Sequence, residues 1–67
     1  MKSREGLVGE VRELLERLDA TIARLSSEMD DELEDGNLLA WSVLDVRLAT
    51  TRAQRDKCAR LLAALTA

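Results

Sequence analysis

Histidine, tyrosine, phenylalanine and proline are absent from this chain of 67 residues, and cysteine and tryptophan occur once each. Without histidine or tyrosine, the side chains that usually transfer protons in enzymes reduce to carboxylates, so we expect no enzymatic activity. The single cysteine, Cys58, excludes an intrachain disulfide and leaves a structural zinc site without its usual ligands. We therefore expect no cofactor and no bound metal.

Long apolar runs are also absent from the sequence. No stretch approaches the roughly 18 residues of a membrane span, and no apolar signal-peptide core follows Met1, so we expect a cytoplasmic location and no membrane contact. The net charge of −3 disfavours binding to nucleic acid. A chain this short buries a modest core, and without a disulfide or a metal, oligomerisation is the remaining common way to stabilise it.

Apolar residues at heptad spacing predict a first helix over about residues 4–34. They alternate at steps of three and four, with Val8, Leu15, Ile22 and Met29 at the a positions and Val11, Leu18 and Leu25 at the d positions. Ser3 suits the N-cap of this helix, Gly36 suits the left-handed position after it, and Asn37 suits the next N-cap. These signals predict a turn at 35–37 and a second helix over about 38–65. A restart of the first helix at Ser26-Ser27 is an alternative.

The second helix has its own seam: Trp41, Leu44, Leu48, Thr51, Arg55, Cys58, Leu62 and Leu65. When the chain is folded back at Gly36, residues that face each other have numbers summing to 73, as in Val11 with Leu62 and Leu25 with Leu48. The heptad registers of the two helices, read independently, therefore predict the same turn. They predict an all-α fold, an antiparallel two-helix hairpin that forms a single domain of residues 1–67. A strand over residues 44–48 is the competing interpretation, but a lone strand is not stable.

Thr51 and Arg55 interrupt the seam of the second helix and predict a polar layer within it. In the predicted register, Arg55 faces Leu18, so its guanidinium must extend to solvent or pair with Asp19 or Glu16. A polar residue at a seam position specifies register at a cost in stability.

A second set of apolar residues predicts an interface for another copy of the chain, for another protein, or for both. Its members lie at c and f positions of the second helix or at g positions of the first: Leu39, Val43, Val46, Thr50 and Ala53, with Leu7 and Leu14. This surplus predicts dimerisation into a four-helix bundle. Trp41, near the turn, is a candidate anchor for a partner protein.

Acidic residues cluster at the turn end of the predicted hairpin: Asp30, Asp31, Glu32, Glu34 and Asp35. Most bases of the second helix lie towards the open end instead. Antiparallel packing of two hairpins would place each acidic tip near the partner's basic end, whereas head-to-head packing would crowd like charges together. The charge distribution therefore favours an antiparallel homodimer.

In length, in its two helices and in the turn at "EDGN" (34–37), the chain resembles the Rop family of plasmid-encoded hairpin dimers. That resemblance implies a homodimeric four-helix bundle and, as one alternative function, regulation through RNA binding. By size and composition the chain also resembles small phage-encoded inhibitors of host factors such as quorum-sensing regulators, pilus ATPases or CRISPR effectors. In its Gly and Leu, "EDGNL" (34–38) is similar to the tip motif of the Gre-type coiled-coil fingers that enter RNA polymerase.

Two classes of function follow from these patterns. In the first, the chain is a non-enzymatic regulatory protein that binds and inhibits another protein through its apolar surface. In the second, the acidic tip is the working end, either as a finger that acts on RNA polymerase or as a mimic of nucleic acid. The two classes differ in the part of the molecule that they require.

Overall fold

The structure is a computed structural model that describes residues 3–67, and it consists of two helices joined by a tight turn. Helix α1 spans Arg4–Glu34 and helix α2 spans Leu38–Thr66. The two helices pack against each other in a rod of 49 × 19 × 14 Å. The all-α hairpin predicted from the sequence is confirmed, and α2 extends one residue beyond the predicted 38–65.

Both alternatives to this hairpin are wrong. Helix α1 continues through Ser26 and Ser27 without interruption, so no restart occurs there. Residues 44–48 lie inside α2, so the alternation that resembled a strand is part of a helical heptad. Within the described residues, neither helix is long and apolar enough to cross a membrane.

Side-chain caps hold the first turn of each helix. The Ser3 hydroxyl accepts a hydrogen bond from the backbone N–H of Gly6 at 3.1 Å. The Asn37 side-chain oxygen accepts one from the N–H of Ala40 at 3.2 Å. Each bond satisfies an N–H that has no partner within its own helix, which is why Ser and Asn are favoured at these positions.

The turn between the helices is a Schellman motif centred on Gly36. This glycine has a positive φ of 74°, a conformation that residues with a Cβ adopt only at a cost. Its N–H donates to the carbonyl of Leu33 at 3.1 Å, and the N–H of Asn37 donates to that of Glu32 at 2.8 Å. These bonds satisfy the last carbonyls of α1 and reverse the chain within three residues.

The core is a narrow seam between the helices, with only three side chains buried among the described residues. These are Val11, Leu25 and Leu48, which are 9%, 1% and 5% exposed. Leu25 and Leu48 are a pair that the sum of 73 places face to face. Every other residue of the two predicted seams is half-buried: Val8, Leu15, Leu18, Ile22, Met29, Trp41, Leu44, Thr51, Arg55, Cys58, Leu62 and Leu65. Two helices alone cover these side chains on one side only.

Candidate interaction surfaces

The buried seam determines which face of the rod every other helical position occupies. In an antiparallel pair of helices, the g positions of both helices border one side of the seam and the e positions border the other. The c and f positions of α2 point away from α1. The hairpin therefore has two broad faces, each contributed by both helices, and two narrow edges, each contributed by one.

The first broad face, which we name the groove face, consists of the g positions of both helices. Its residues are Leu7, Leu14, Thr21 and Glu28 of α1 with Ala40, Arg47, Gln54 and Leu61 of α2. Leu7, Leu14 and Leu61 are exposed, although each is a large apolar side chain. This face therefore carries apolar surface that the hairpin itself does not cover.

An open groove of about 330 Å³ lies on this face near the open end of the hairpin. Leu14 and Leu18 line it from α1, and Gln54, Lys57 and Cys58 line it from α2. The floor is apolar and the polar side chains come from α2. A groove of this shape, open along one side, suits the side chain of a packing partner better than it suits an enclosed small molecule.

The second broad face, which we name the ion-pair face, consists of the e positions. Its residues are Glu5, Arg12, Asp19, Ser26 and Leu33 of α1 with Leu38, Asp45, Arg52, Ala59 and Thr66 of α2. Arg55, at the adjacent a position, donates from Nε to the Asp19 carboxylate oxygen at 3.0 Å and so links the two helices across this face. The bond joins residues whose numbers sum to 74, within one of the predicted register.

The polar layer of the seam has partners for both of its residues. Arg55 pairs with Asp19, the first of the two acids offered by the sequence. The Thr51 hydroxyl donates to the carbonyl of Arg47 at 2.8 Å, one turn earlier in its own helix. Trp41, the candidate anchor for a partner protein, is half-buried in the seam beside the turn.

The outward edge of α2 carries an exposed apolar row, which we name the α2 back row: Leu39, Val43, Val46, Thr50 and Ala53. Leu39 is 79% exposed, Val46 66% and Val43 56%. The Thr50 hydroxyl bonds to the carbonyl of Val46 at 3.1 Å, so it is not directed at an approaching partner. Contiguous exposed apolar side chains of this kind are typical of a protein-binding surface.

The interface predicted from the sequence is divided between two surfaces. The α2 back row occupies the outward edge, whereas Leu7 and Leu14 lie on the groove face, with Leu14 in the wall of the groove. Gln54, Lys57 and Leu61 were not among the predicted site residues. The signal for Gln54 and Leu61 was present in the sequence, because the g positions of α2 face those of α1 once the hairpin register is known, whereas Lys57 occupies a c position.

The acidic tip extends over the last turns of α1 and into the turn. Asp30, Asp31, Glu34 and Asp35 are exposed and Glu32 is half-buried, while no basic residue occupies the last turn of α1. The carboxyl end of a helix carries a partial negative charge, so acids there are unfavourable by up to roughly 1 kcal/mol each before screening by solvent and salt. The tip charges therefore do not serve the stability of α1.

Known proteins give no further information about these surfaces. Comparisons of the chain with protein-family models, with curated proteins and with solved structures found no match. Within residues 3–67, no group of three or more Cys, Asp or Glu side chains is arranged to hold a metal ion. The interpretation of function therefore depends on the geometry of the hairpin alone.

Proposed function

We propose that the protein is a non-enzymatic cytoplasmic regulator that works as a homodimer and inhibits another protein by binding it. The observation that carries this proposal is the exposed α2 back row, with Leu39, Val43 and Val46 more than half exposed along one edge. Burying each of these side chains in a complex would contribute roughly 1–2 kcal/mol. A contiguous row of exposed apolar side chains is typical of a surface that binds another protein.

The homodimer is supported by the small core of the single hairpin. Three buried side chains are few for 65 described residues, and most of the seam is half-buried. A hairpin of two helices leaves one side of each seam residue open, and a second hairpin would close it. Dimerisation is the usual remedy for a chain of this size without a disulfide or metal.

The charge distribution supports an antiparallel arrangement of the two copies. The turn half of the hairpin (residues 20–51) carries seven acids and two bases. The open half (3–19 and 52–67) carries six acids and seven bases. Head-to-head packing would bring the two turn halves together, and like charges at close range cost free energy. Antiparallel packing places each turn half beside the nearly neutral open half of the other copy.

The test compares three baits in the lysate of the native host: the wild type, Val43→Asp and Ser42→Asp. Captured proteins are identified by mass spectrometry, and their inhibition by each purified bait is then assayed. Val43→Asp puts a charge in the α2 back row and should abolish both capture and inhibition, since an unpaired carboxylate is costly to bury. Ser42→Asp is the matched control, because it adds the same charge at an exposed position about 100° around α2. It should behave as wild type. Capture by all three baits alike would contradict the proposal.

The acidic tip is the second candidate for the part of the molecule that binds the target, because its charges lie where they destabilise α1. The bait for this alternative has Asp30, Asp31, Glu32 and Glu34 all changed to Asn or Gln. If the back row is the working surface, this bait should retain capture and inhibition. If it loses both while Val43→Asp keeps them, the acidic finger or the nucleic-acid mimic replaces the apolar regulator.

A further inference from the structure

We infer that the second copy of the chain packs antiparallel on the groove face, which leaves the α2 back row of both copies free for another protein. This inference rests on the proposed homodimer and names the surface that forms it. It assigns dimerisation to the groove face and the binding of another protein to the α2 back row.

Charge distinguishes the two broad faces. In a four-helix bundle, each helix buries its a and d positions and one flanking position, either e or g. At the g positions of the described helices, only Glu28 and Arg47 are charged among the eight residues. At the e positions, which form the ion-pair face, five of ten are charged, and the Arg55–Asp19 bond runs across that face. Covering the ion-pair face would desolvate all of these charges, whereas covering the groove face would desolvate only two and would bury Leu7, Leu14 and Leu61.

The shape of the rod also favours a broad face, rather than the outward edge of α2, as the dimer interface. A broad face of 49 × 19 Å offers about 900 Å². That is close to the roughly 800 Å² per partner of a stable protein interface. An edge of 49 × 14 Å is narrower and is formed by one helix. Only a partner on a broad face reaches the half-buried seam residues of both helices, such as Leu18 and Cys58 in the groove.

Antiparallel packing on the groove face has a geometric consequence at mid-length. The two-fold axis then lies in the interface, so α2 lies beside α2 of the partner and residues near the middle of the helix approach their own counterparts. The middle of α2 (Leu38–Thr66) is Arg52, and the next two residues lie within about 3 Å of it along the helix axis. Three consecutive residues there point in three directions, about 100° apart. Arg52 lies on the ion-pair face, Ala53 in the α2 back row and Gln54 on the groove face.

The experiment uses these three positions as disulfide probes in a Cys58→Ala background. All three side chains are exposed in the hairpin, so a cysteine at each is tolerated by the fold. Gln54→Cys should form a covalent dimer under mild oxidation at least about tenfold faster than Ala53→Cys or Arg52→Cys, measured on non-reducing gels. A disulfide needs Cα atoms within about 7 Å, which random collisions of free chains satisfy rarely. Circular dichroism confirms that the variants remain helical.

The mass in solution separates failure of the inference from failure of the proposed dimer. Light scattering in line with size exclusion should give about twice the 7.5 kDa mass of the chain. Leu61→Asp should yield a monomer and Val46→Asp a dimer, because these residues lie on the groove face and in the α2 back row. A wild-type monomer at all concentrations would overturn the dimer itself. A dimer that crosslinks fastest through Ala53→Cys or Arg52→Cys, or that Val46→Asp dissociates, would overturn the assignment to the groove face. A dimer in which none of the three probes crosslinks above background would overturn the antiparallel arrangement.

Discussion

Replacement of Arg55 by leucine tests whether the polar layer of the seam stabilises the hairpin or only fixes its register. Arg55 Nε lies 3.0 Å from the Asp19 carboxylate, and the two side chains are 42% and 55% exposed. At this distance the Coulomb energy is about 1.4 kcal/mol in the dielectric of water. After the entropy of ordering both side chains and screening by salt, exposed pairs contribute roughly 0.2–1 kcal/mol.

The leucine would contribute more than the ion pair that it removes. Arg55 occupies a seam position opposite Leu18, and residues at such positions are half-buried in this hairpin. Half of the roughly 1.5–3 kcal/mol for full burial of a leucine is on the order of 1 kcal/mol. Asp19 is left without this bond, but it is more than half exposed and is hydrated instead. The difference between these two contributions leads us to expect that Arg55→Leu raises the free energy of unfolding by up to about 0.8 kcal/mol.

Urea denaturation followed by circular dichroism, at equal protein concentrations because a dimer is stabilised by mass action, measures this change. Asp19→Asn is the control, since it removes the charge of the pair without adding apolar surface, and it should cost less than about 1 kcal/mol. If Arg55→Leu unfolds the protein or lowers its stability by more than about 1 kcal/mol, the reasoning is refuted. Arg55 would then make an interaction of the assembled protein that the single hairpin does not contain.

Two further pairs of substitutions test the core and the turn. Leu25 is 1% exposed, so Leu25→Ala should lower the free energy of unfolding by about 2–4 kcal/mol, whereas Leu39→Ala, at a residue 79% exposed, should change it by less than about 0.5 kcal/mol in urea denaturation. Equal losses from both would contradict the assigned seam. Gly36→Ala should cost about 1 kcal/mol because of the positive φ of 74°, although a Cβ there meets nothing within 4 Å. Gly9→Ala, within α1 and equally uncrowded, should instead raise the free energy of unfolding by about 0.5–1 kcal/mol. If both substitutions change the free energy of unfolding in the same direction, the explanation from backbone conformation is refuted.

The fold was predictable because local and long-range signals in the sequence agree. The heptad registers of the two helices were read separately, and both closed on the turn at Gly36, where the structure has its positive φ. The caps at Ser3 and Asn37 were predictable because few side chains accept a hydrogen bond from a free helical N–H. Each of these features depends on residues close together in the chain or on a single periodic pattern.

The division of the exposed apolar residues into two surfaces could not be predicted with equal ease. Leu7 and Leu14 widen the stripe of α1 in sequence, and nothing in α1 alone shows on which side of the hairpin that stripe will lie. The structure places Leu14 in a groove with Gln54 and Lys57, residues about 40 positions away in the chain. To predict side-by-side contacts of this kind, one needs the handedness and the register of the packed helices. Heptad spacing constrains them only after the positions of both helices are known.

Helix α2 is the element that connects the fold to the proposed function. Its apolar residues lie on the seam, on both broad faces and in the α2 back row, so a single neighbouring helix cannot cover them all. Helix α1 covers the seam, where Leu48 is 5% exposed. A second copy on the groove face would cover Leu61, and its antiparallel orientation would keep the two acidic tips apart. Leu39, Val43 and Val46 would still face solvent in that dimer, on an edge that neither copy reaches. An apolar row that remained exposed after folding and after dimerisation would contribute to neither, and the proposed binding of a different protein would account for it.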